Sequence, residues 1–257
     1  MSLVKYRSEN RVGFITLNRP EKRNALSYEM VTDLKSAFEQ ARNDDSAKVI
    51  ILNAEGKVFC AGADLAYIQS LQTNTLEENI EDSTHLMELV KTIYTFEKVV
   101  IAQVHGHAIA GGCGLATVCD FSFTVPEAKF GYTEVRIGFI PAIVKVFLLR
   151  KIGEGKAKEL LLSGDLIDSS YAEKIGLINS VVPKEELEDK VADFAQRLIK
   201  NNSGQSMAFT KQMIAKVQEL TLDEGLDYAA KMNAEARGSD DCKKGIASFL
   251  EKKELGW

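Results

Sequence analysis

Two stretches of this chain have the residue types that stabilise negative charge developing on an oxygen. The first is Val104-His105-Gly106-His107-Ala108-Ile109-Ala110-Gly111-Gly112-Cys113-Gly114-Leu115. An apolar strand pattern, Val99 to Val104, leads into it, and an apolar helical pattern leaves it. The small residues between them leave backbone N–H groups unshielded, and glycine lets another molecule approach the main chain closely. A helix starting there adds unpaired N–H donors and the positive end of its dipole. The second stretch, Gly56-Lys57-Val58-Phe59-Cys60-Ala61-Gly62-Ala63-Asp64-Leu65, follows the apolar run Val49 to Asn53 in the same way. Donors from two such loops can hold one carbonyl oxygen as charge builds on it, which is the work of an oxyanion hole. Either loop alone reads equally well as a tight strand exit.

The elements around these loops alternate. Strands are predicted at Leu3–Arg7, Val12–Leu17, Val49–Asn53, Val99–Val104, Phe121–Val125 and Ile178–Val182, with helices between them. Ser27 is placed to cap a helix in which Met30, Val31, Leu34, Ala37, Phe38 and Ala41 follow the 3.6-residue period. Strands alternating with helices predict an α/β fold with parallel pairing. Beyond about Asn201 the strand signal stops, and Met207–Val217, Leu222–Ala236 and Cys242–Lys252 are all helical in pattern. Asn201-Asn202-Ser203-Gly204 has the composition of a joint between the two parts.

Composition narrows the function. The 257 residues are 45% hydrophobic and 27% charged, an ordinary globular profile. A net charge of -5 with no basic stripe argues against nucleic acid as a partner. No apolar run approaches the ~20 residues of a membrane span, and Lys5, Arg7, Glu9 and Arg11 break any signal-peptide pattern near the start. Cys60, Cys113, Cys119 and Cys242 form no Cys-x-x-Cys pair, so no zinc or other metal site is expected. Buried reduced thiols and a cytoplasmic, reducing location are the expectation. His85, His105 and His107 lack metal-ligand spacing. No Gly-x-Gly-x-x-Gly or P-loop pattern supports nucleotide chemistry.

The two loops, together with Leu17-Asn18-Arg19-Pro20-Glu21-Lys22-Arg23-Asn24-Ala25-Leu26, Thr133-Glu134-Val135-Arg136-Ile137-Gly138-Phe139-Ile140-Pro141 and Ala172-Glu173-Lys174-Ile175-Gly176-Leu177-Ile178, resemble the crotonase (enoyl-CoA hydratase/isomerase) superfamily. The likeness covers nearly the whole chain. It implies a crotonase-like spiral of ββα repeats over residues 1–200, which carries an acyl-CoA site. An all-helical C-terminal region over residues 201–257 would join subunits into a homotrimer or a dimer of trimers.

The resemblance also assigns roles. The backbone N–H groups of Ala63 and Gly111 would hold the thioester oxygen. Glu134 would move a proton at the α or γ carbon, and a carboxyl in an apolar pocket has its pKa raised toward that task. Ala61, Gly62, Asp64 and Leu65 would run along coenzyme A, with Asn24, Ala25 and Leu26 as backbone contacts and Lys22 facing a phosphate. Asp64 could equally be a helix cap, and Lys22 a solvated lysine. Coenzyme A enters as part of the substrate, and no separate cofactor is implied.

Gly114 departs from the pattern, because typical hydratases of the superfamily carry glutamate there. Three readings follow. Another carboxylate could substitute, from among Glu77, Glu78, Glu81, Asp82 and Glu88. Glu134 could act alone, as in single-glutamate Δ3,Δ2-enoyl-CoA isomerases. The substrate could bring its own carboxylate. Glycine at 114 with Glu134-Val135-Arg136-Ile137-Gly138-Phe139-Ile140-Pro141-Ala142 is similar to bacterial methylglutaconyl-CoA hydratases of leucine and terpenoid degradation. Their acyl groups are branched and carboxylated, and Lys145 is a candidate to neutralise such a group. The reaction expected is addition of water to a 2-enoyl-CoA, with the isomerase or another enolate reaction as the alternative.

Overall fold

The structure is a computed structural model, and it describes residues 2–257. A hairpin of β1 (Val4–Glu9) and β2 (Val12–Leu17) opens the chain, followed by α1 (Tyr28–Asn43) and β3 (Val49–Ala54). Then come α2 (Leu65–Ser70), α3 (Leu76–Thr95), β4 (Val99–Val104), β5 (Ala108–Ile109) and α4 (Gly111–Val118). Next are β6 (Phe121–Thr124), β7 (Lys129–Gly131), α5 (Val144–Ser163), β8 (Ile167–Asp168), α6 (Ser169–Lys174) and β9 (Ser180–Val181). Four helices finish the chain: α7 (Leu187–Asn201), α8 (Gly204–Val217), α9 (Leu222–Gly238) and α10 (Asp240–Leu250).

Six strands form one sheet in the order β1-β2-β3-β4-β6-β9, antiparallel only between β1 and β2. Strands β5, β7 and β8 form a second, small sheet. Each turn of the spiral therefore leaves the large sheet, touches the small one or its flanking bridges, and returns through a helix. This is the α/β spiral of ββα repeats with a C-terminal helical bundle that the resemblance implies.

The physical reason lies in burial. Val49, Ile50, Ile51 and Leu52 of β3 and Val99 to Ala102 of β4 are buried on both faces, as parallel central strands require. On α1 the buried set is Met30, Val31, Leu34, Ala37, Phe38 and Ala41, the stripe its period predicts. Ser27 caps it, accepting from the Met30 N–H at 3.4 Å. Strand β9 is shorter than expected at two residues; Ile178 and Val182 are buried on either side of it, and the Val182 N–H still donates to the Thr124 carbonyl of β6 at 2.8 Å. Strands β5, β7 and β8 have two or three residues each, too few to show a period.

The sequence places a joint at Asn201–Gly204, and α7 ends and α8 begins there. Helix α8 still docks on α3 and β4, and buried Lys211 pairs with Asp120 at 2.7 Å. Helices α9 and α10 reach further out and bury none of their own residues.

Candidate active site

The two glycine-bearing loops meet. Gly62 has φ 89°, and a Cβ there would lie 2.7 Å from the Ala110 Cβ and 3.4 Å from the Gly111 nitrogen. Both the backbone angle and the contact require glycine at that position. Leu26 donates to the Gly62 carbonyl and accepts from the Asp64 N–H, both at 2.8 Å. That is a parallel bridge centred on Ala63. Its geometry turns the N–H of Ala63 away from Leu26 and into the open.

Gly111 is the first residue of α4, so its N–H precedes any the helix can use internally. Ala110 holds the turn in an unusual conformation, φ 52° and ψ −124°. Its N–H is anchored to the Gly131 carbonyl at 2.7 Å, and its carbonyl accepts from Gly114 at 3.0 Å. A non-glycine residue in that region stores strain, which persists only where the surroundings over-determine it. Here the strain aims one N–H into the same space as that of Ala63.

That space is a cavity of about 450 Å³, lined by Ala63, Gly111 and Glu134 among others. Glu134 opens a short 3-10 turn, Glu134–Ile137, just after β7. Its side chain is 9% exposed, and its Oε2 is buried without a hydrogen-bond partner. Burial pushes the carboxyl above the ordinary glutamate range, against a smaller opposing pull from a backbone amide. An unpaired buried carboxyl next to two free amide donors can move a proton beside an oxygen whose charge those amides stabilise.

The structure sorts the remaining candidates. Leu26, Ala61 and Leu65 also line this cavity, whereas Lys22, Asn24, Ala25, Gly62, Asp64 and Gly114 do not. Asn24 is fully buried and braces the loop: it accepts from Arg19 N–H at 2.9 Å and donates to the Glu55 and Val58 carbonyls at 2.9 Å. Asp64 caps α2, accepting from Ala66 and Tyr67, and pairs with Arg19 at 3.0 Å. Burial works to raise its carboxyl, but those amide donors and Arg19 outweigh it and hold it below the usual range. Ala25 is buried in the same braced loop, and Lys22 is exposed on the surface.

Gly114 lies inside the α4–α5 contact. A Cβ there would fall 2.2 Å from Cγ1 of Val144, so Val144 occupies the space a side chain would need. Of the five carboxylates considered as substitutes, only Asp82 lines the cavity. Glu78 is spent in a capping box with Thr75, and Glu88 pairs with Lys35 at 2.6 Å. Lys145 is exposed on α5 outside the cavity wall.

Sequence reasoning named Asp82 as one of five candidate carboxylates but not the Tyr67 beside it. Tyr67, Asp82 and His85 line the cavity from α2 and α3. The Tyr67 hydroxyl donates to Asp82 Oδ1, and His85 stacks on Tyr28 at 4.2 Å. The spacing held the signal. Asp82, His85, Leu86 and Leu89 share one helix face, and that face goes on to buried Ile93. His105 bonds to the Gly56 carbonyl at 2.9 Å and His107 accepts from Lys129 N–H at 3.1 Å, both as loop supports.

A larger cavity, about 910 Å³, lies between the spiral and helices α8 and α10. It holds the Lys211–Asp120 pair, and Lys151 donates there to the Thr117 and Cys119 carbonyls. Those lysines cap the end of α4 and fasten α8 to the core, and neither donor loop reaches this space. Among the described residues, no three His, Cys, Asp or Glu side chains cluster as metal ligands, and no helix is long and apolar enough to cross a membrane.

Comparison with known proteins agrees with this fold. The family model described as enoyl-CoA hydratase/isomerase matches residues 7–257. A putative enoyl-CoA hydratase from Thermus thermophilus is 39% identical over 242 residues, 94% of this chain and 95% of that one. A crotonyl-CoA hydratase from Syntrophomonas wolfei is 33% identical over 259 residues, covering 97% and 95%. The crystal structure of a putative enoyl-CoA hydratase/isomerase from Legionella pneumophila superposes with a TM-score of 0.88 at 36% identity, covering 99% of this chain and 98% of that one.

Proposed function

Because the chain belongs to the enoyl-CoA hydratase/isomerase family, we propose that it adds water across the double bond of a 2-enoyl-CoA. One observation carries the reading: the unpartnered carboxyl of Glu134 shares a cavity with the free amides of Ala63 and Gly111. The thioester oxygen sits between the two N–H groups. Glu134 as carboxylate takes a proton from water while the water oxygen bonds to C3. Electrons of the C2–C3 double bond move toward the thioester, and the amides stabilise the resulting enolate. The protonated Glu134 then returns the proton to C2, so the enzyme ends unchanged.

The Gly114–Val144 contact supports a second reading, a Δ3,Δ2-enoyl-CoA isomerase. That reaction moves a proton from C2 to C4 and needs one carboxylate only. Absorbance of the conjugated thioester separates the two. Loss of the band from crotonyl-CoA supports the hydratase, and its appearance from a 3-enoyl-CoA supports the isomerase.

The motif likeness to methylglutaconyl-CoA hydratases implies a carboxylated acyl group. No lysine or arginine among the described residues lines the cavity to receive one. The proposal therefore rests on enoyl-CoA substrates in general. It includes a cytoplasmic location, on cysteine usage, and a homotrimer or dimer of trimers.

A further inference from the structure

We infer that the Tyr67–Asp82 pair selects the acyl group, favouring tails that carry a hydroxyl and rejecting tails that end in a carboxylate. The inference rests on the acyl-CoA reading above. Outside the donor loops the cavity lining is mostly apolar, with Val31, Ile68, Leu86 and Ile140 in it. Into this wall α2 and α3 set one charged group, Asp82. The Tyr67 hydroxyl spends its proton on Asp82 Oδ1. The other carboxylate oxygen, Oδ2, accepts from no protein group among the described residues. A hydroxyl on the acyl chain satisfies it by donating, and a plain alkyl tail leaves it to water. A second carboxylate meets like charge in a half-buried space, where water screens less than in bulk.

Nothing nearby reverses that sign. Lys35 is committed to Glu88 at 2.6 Å and to His85 Nδ1 at 3.3 Å. Arg19 is committed to Asp64 at 3.0 Å. Both ring nitrogens of His85 are engaged, Nε2 with Thr32 Oγ1 and Nδ1 with Lys35 Nζ. Thr32 gives its hydroxyl proton to the Tyr28 carbonyl at 3.0 Å, so His85 Nε2 must donate to Thr32 Oγ1 at 2.9 Å. Nδ1 is then the acceptor for Lys35. The two charged side chains on the cavity wall, Glu134 and Asp82, are both acidic.

The test is calorimetric binding of saturated CoA thioesters, which cannot be hydrated. At four, six and eight carbons the tails compared are plain alkyl, ω-hydroxy and ω-carboxylate. Wild type is expected to bind the hydroxylated tail at least as well as the alkyl one. It is expected to bind the carboxylated tail more weakly by about tenfold or more at the lengths that reach α3. Asp82→Asn keeps the shape and removes the charge, so that penalty shrinks to within about threefold. Tyr67→Phe leaves the charge, and the penalty persists. Equal affinity of wild type for all three tails at every length overturns the inference and leaves the acyl-CoA reading standing. So does a penalty that survives in Asp82→Asn. Failure of every thioester to bind folded protein overturns both.

Discussion

Gly114 and Val144 occupy one position between them: a Cβ on Gly114 would lie 2.2 Å from Cγ1 and 2.9 Å from Cβ of Val144. Helices α4 and α5 approach this closely because one of them has no side chain at the contact. Gly114→Ala therefore overpacks a buried site and should cost about 1–3 kcal/mol of stability. Val144→Ala in the same chain should recover part of that loss, because it removes the methyl groups in the way. Urea denaturation of the two single variants and the double variant checks this. Additive losses would show that the two side-chain positions do not compete. Gly114→Glu alone should behave as a packing defect, not as a restored catalytic carboxylate.

Glu134→Gln keeps the shape of the side chain and removes proton transfer. Turnover on the active enoyl-CoA should fall about 10²–10⁴-fold, the scale of one general acid–base group. Affinity for a saturated acyl-CoA should change little, since on the proposed reading backbone amides hold the oxygen.

The same variant has a pH signature. Burial raises the Glu134 carboxyl above its ordinary value of 4.5. Across the window between the unfolded and folded pKa, the folded protein holds the proton more tightly than the unfolded chain does. The stability this gives is full below the unfolded value and is lost as pH rises through the folded one. Melting of wild type should therefore fall, relative to Glu134→Gln, on going from about pH 4 to neutral. Parallel melting profiles for the two proteins would place Glu134 in a solvated setting.

Much of this site was legible because its parts are compositional. Gly62 and Gly111 follow strands whose apolar runs are unmistakable, and an oxyanion loop must be built from small residues. Residue roles were less legible where they depend on a tertiary neighbour. The clash at Gly114 comes from Val144, thirty positions away, and no local pattern encodes it. Asn24 reads in sequence only as a backbone contact to the ligand, and the bracing of the loop by its side chain, which bonds to Arg19, Glu55 and Val58, has no local signal. Asp82 sat in a charged run with Glu77, Glu78 and Glu81; its helical spacing to Leu86 and Leu89 marks the inward face, and the docking of α3 on α1 brings that face to the cavity.

Gly62 sets the distance between the donor loops. Gly62→Ala imposes φ 89° on a residue with a Cβ and drives that Cβ to 2.7 Å from Ala110. Separating the loops misplaces one amide, and loss of one oxyanion donor costs about 10²–10³-fold in kcat. Glu134 remains intact, so the pH dependence of the residual activity should keep the wild-type shape. A variant that melts earlier yet turns over normally would mean that the two amides do not act on a common oxygen.

Helices α9 and α10 pack on α8 and on each other but leave large apolar side chains exposed. They have 17 and 11 residues, and neither holds a fully buried residue. Isolated helices of that length are marginal in water even with favourable sequences. Single exposed leucines are ordinary, but here Leu222 and Leu226 stand one turn apart on α9, 78% and 60% exposed. On α10, Phe249 and Leu250 are 84% and 73% exposed. Packing these faces on neighbouring copies would bury them and hold the helices, and the proposed trimer supplies such copies. Light scattering at micromolar concentration should return three or six times the 28.4 kDa chain mass. Leu226→Asp and Phe249→Asp should each lower that mass or the melting temperature, since a charge buried at an interface without a partner is strongly unfavourable. A single-chain mass for the wild-type protein, with far-ultraviolet helicity intact, would show that the two helices stand without neighbouring copies.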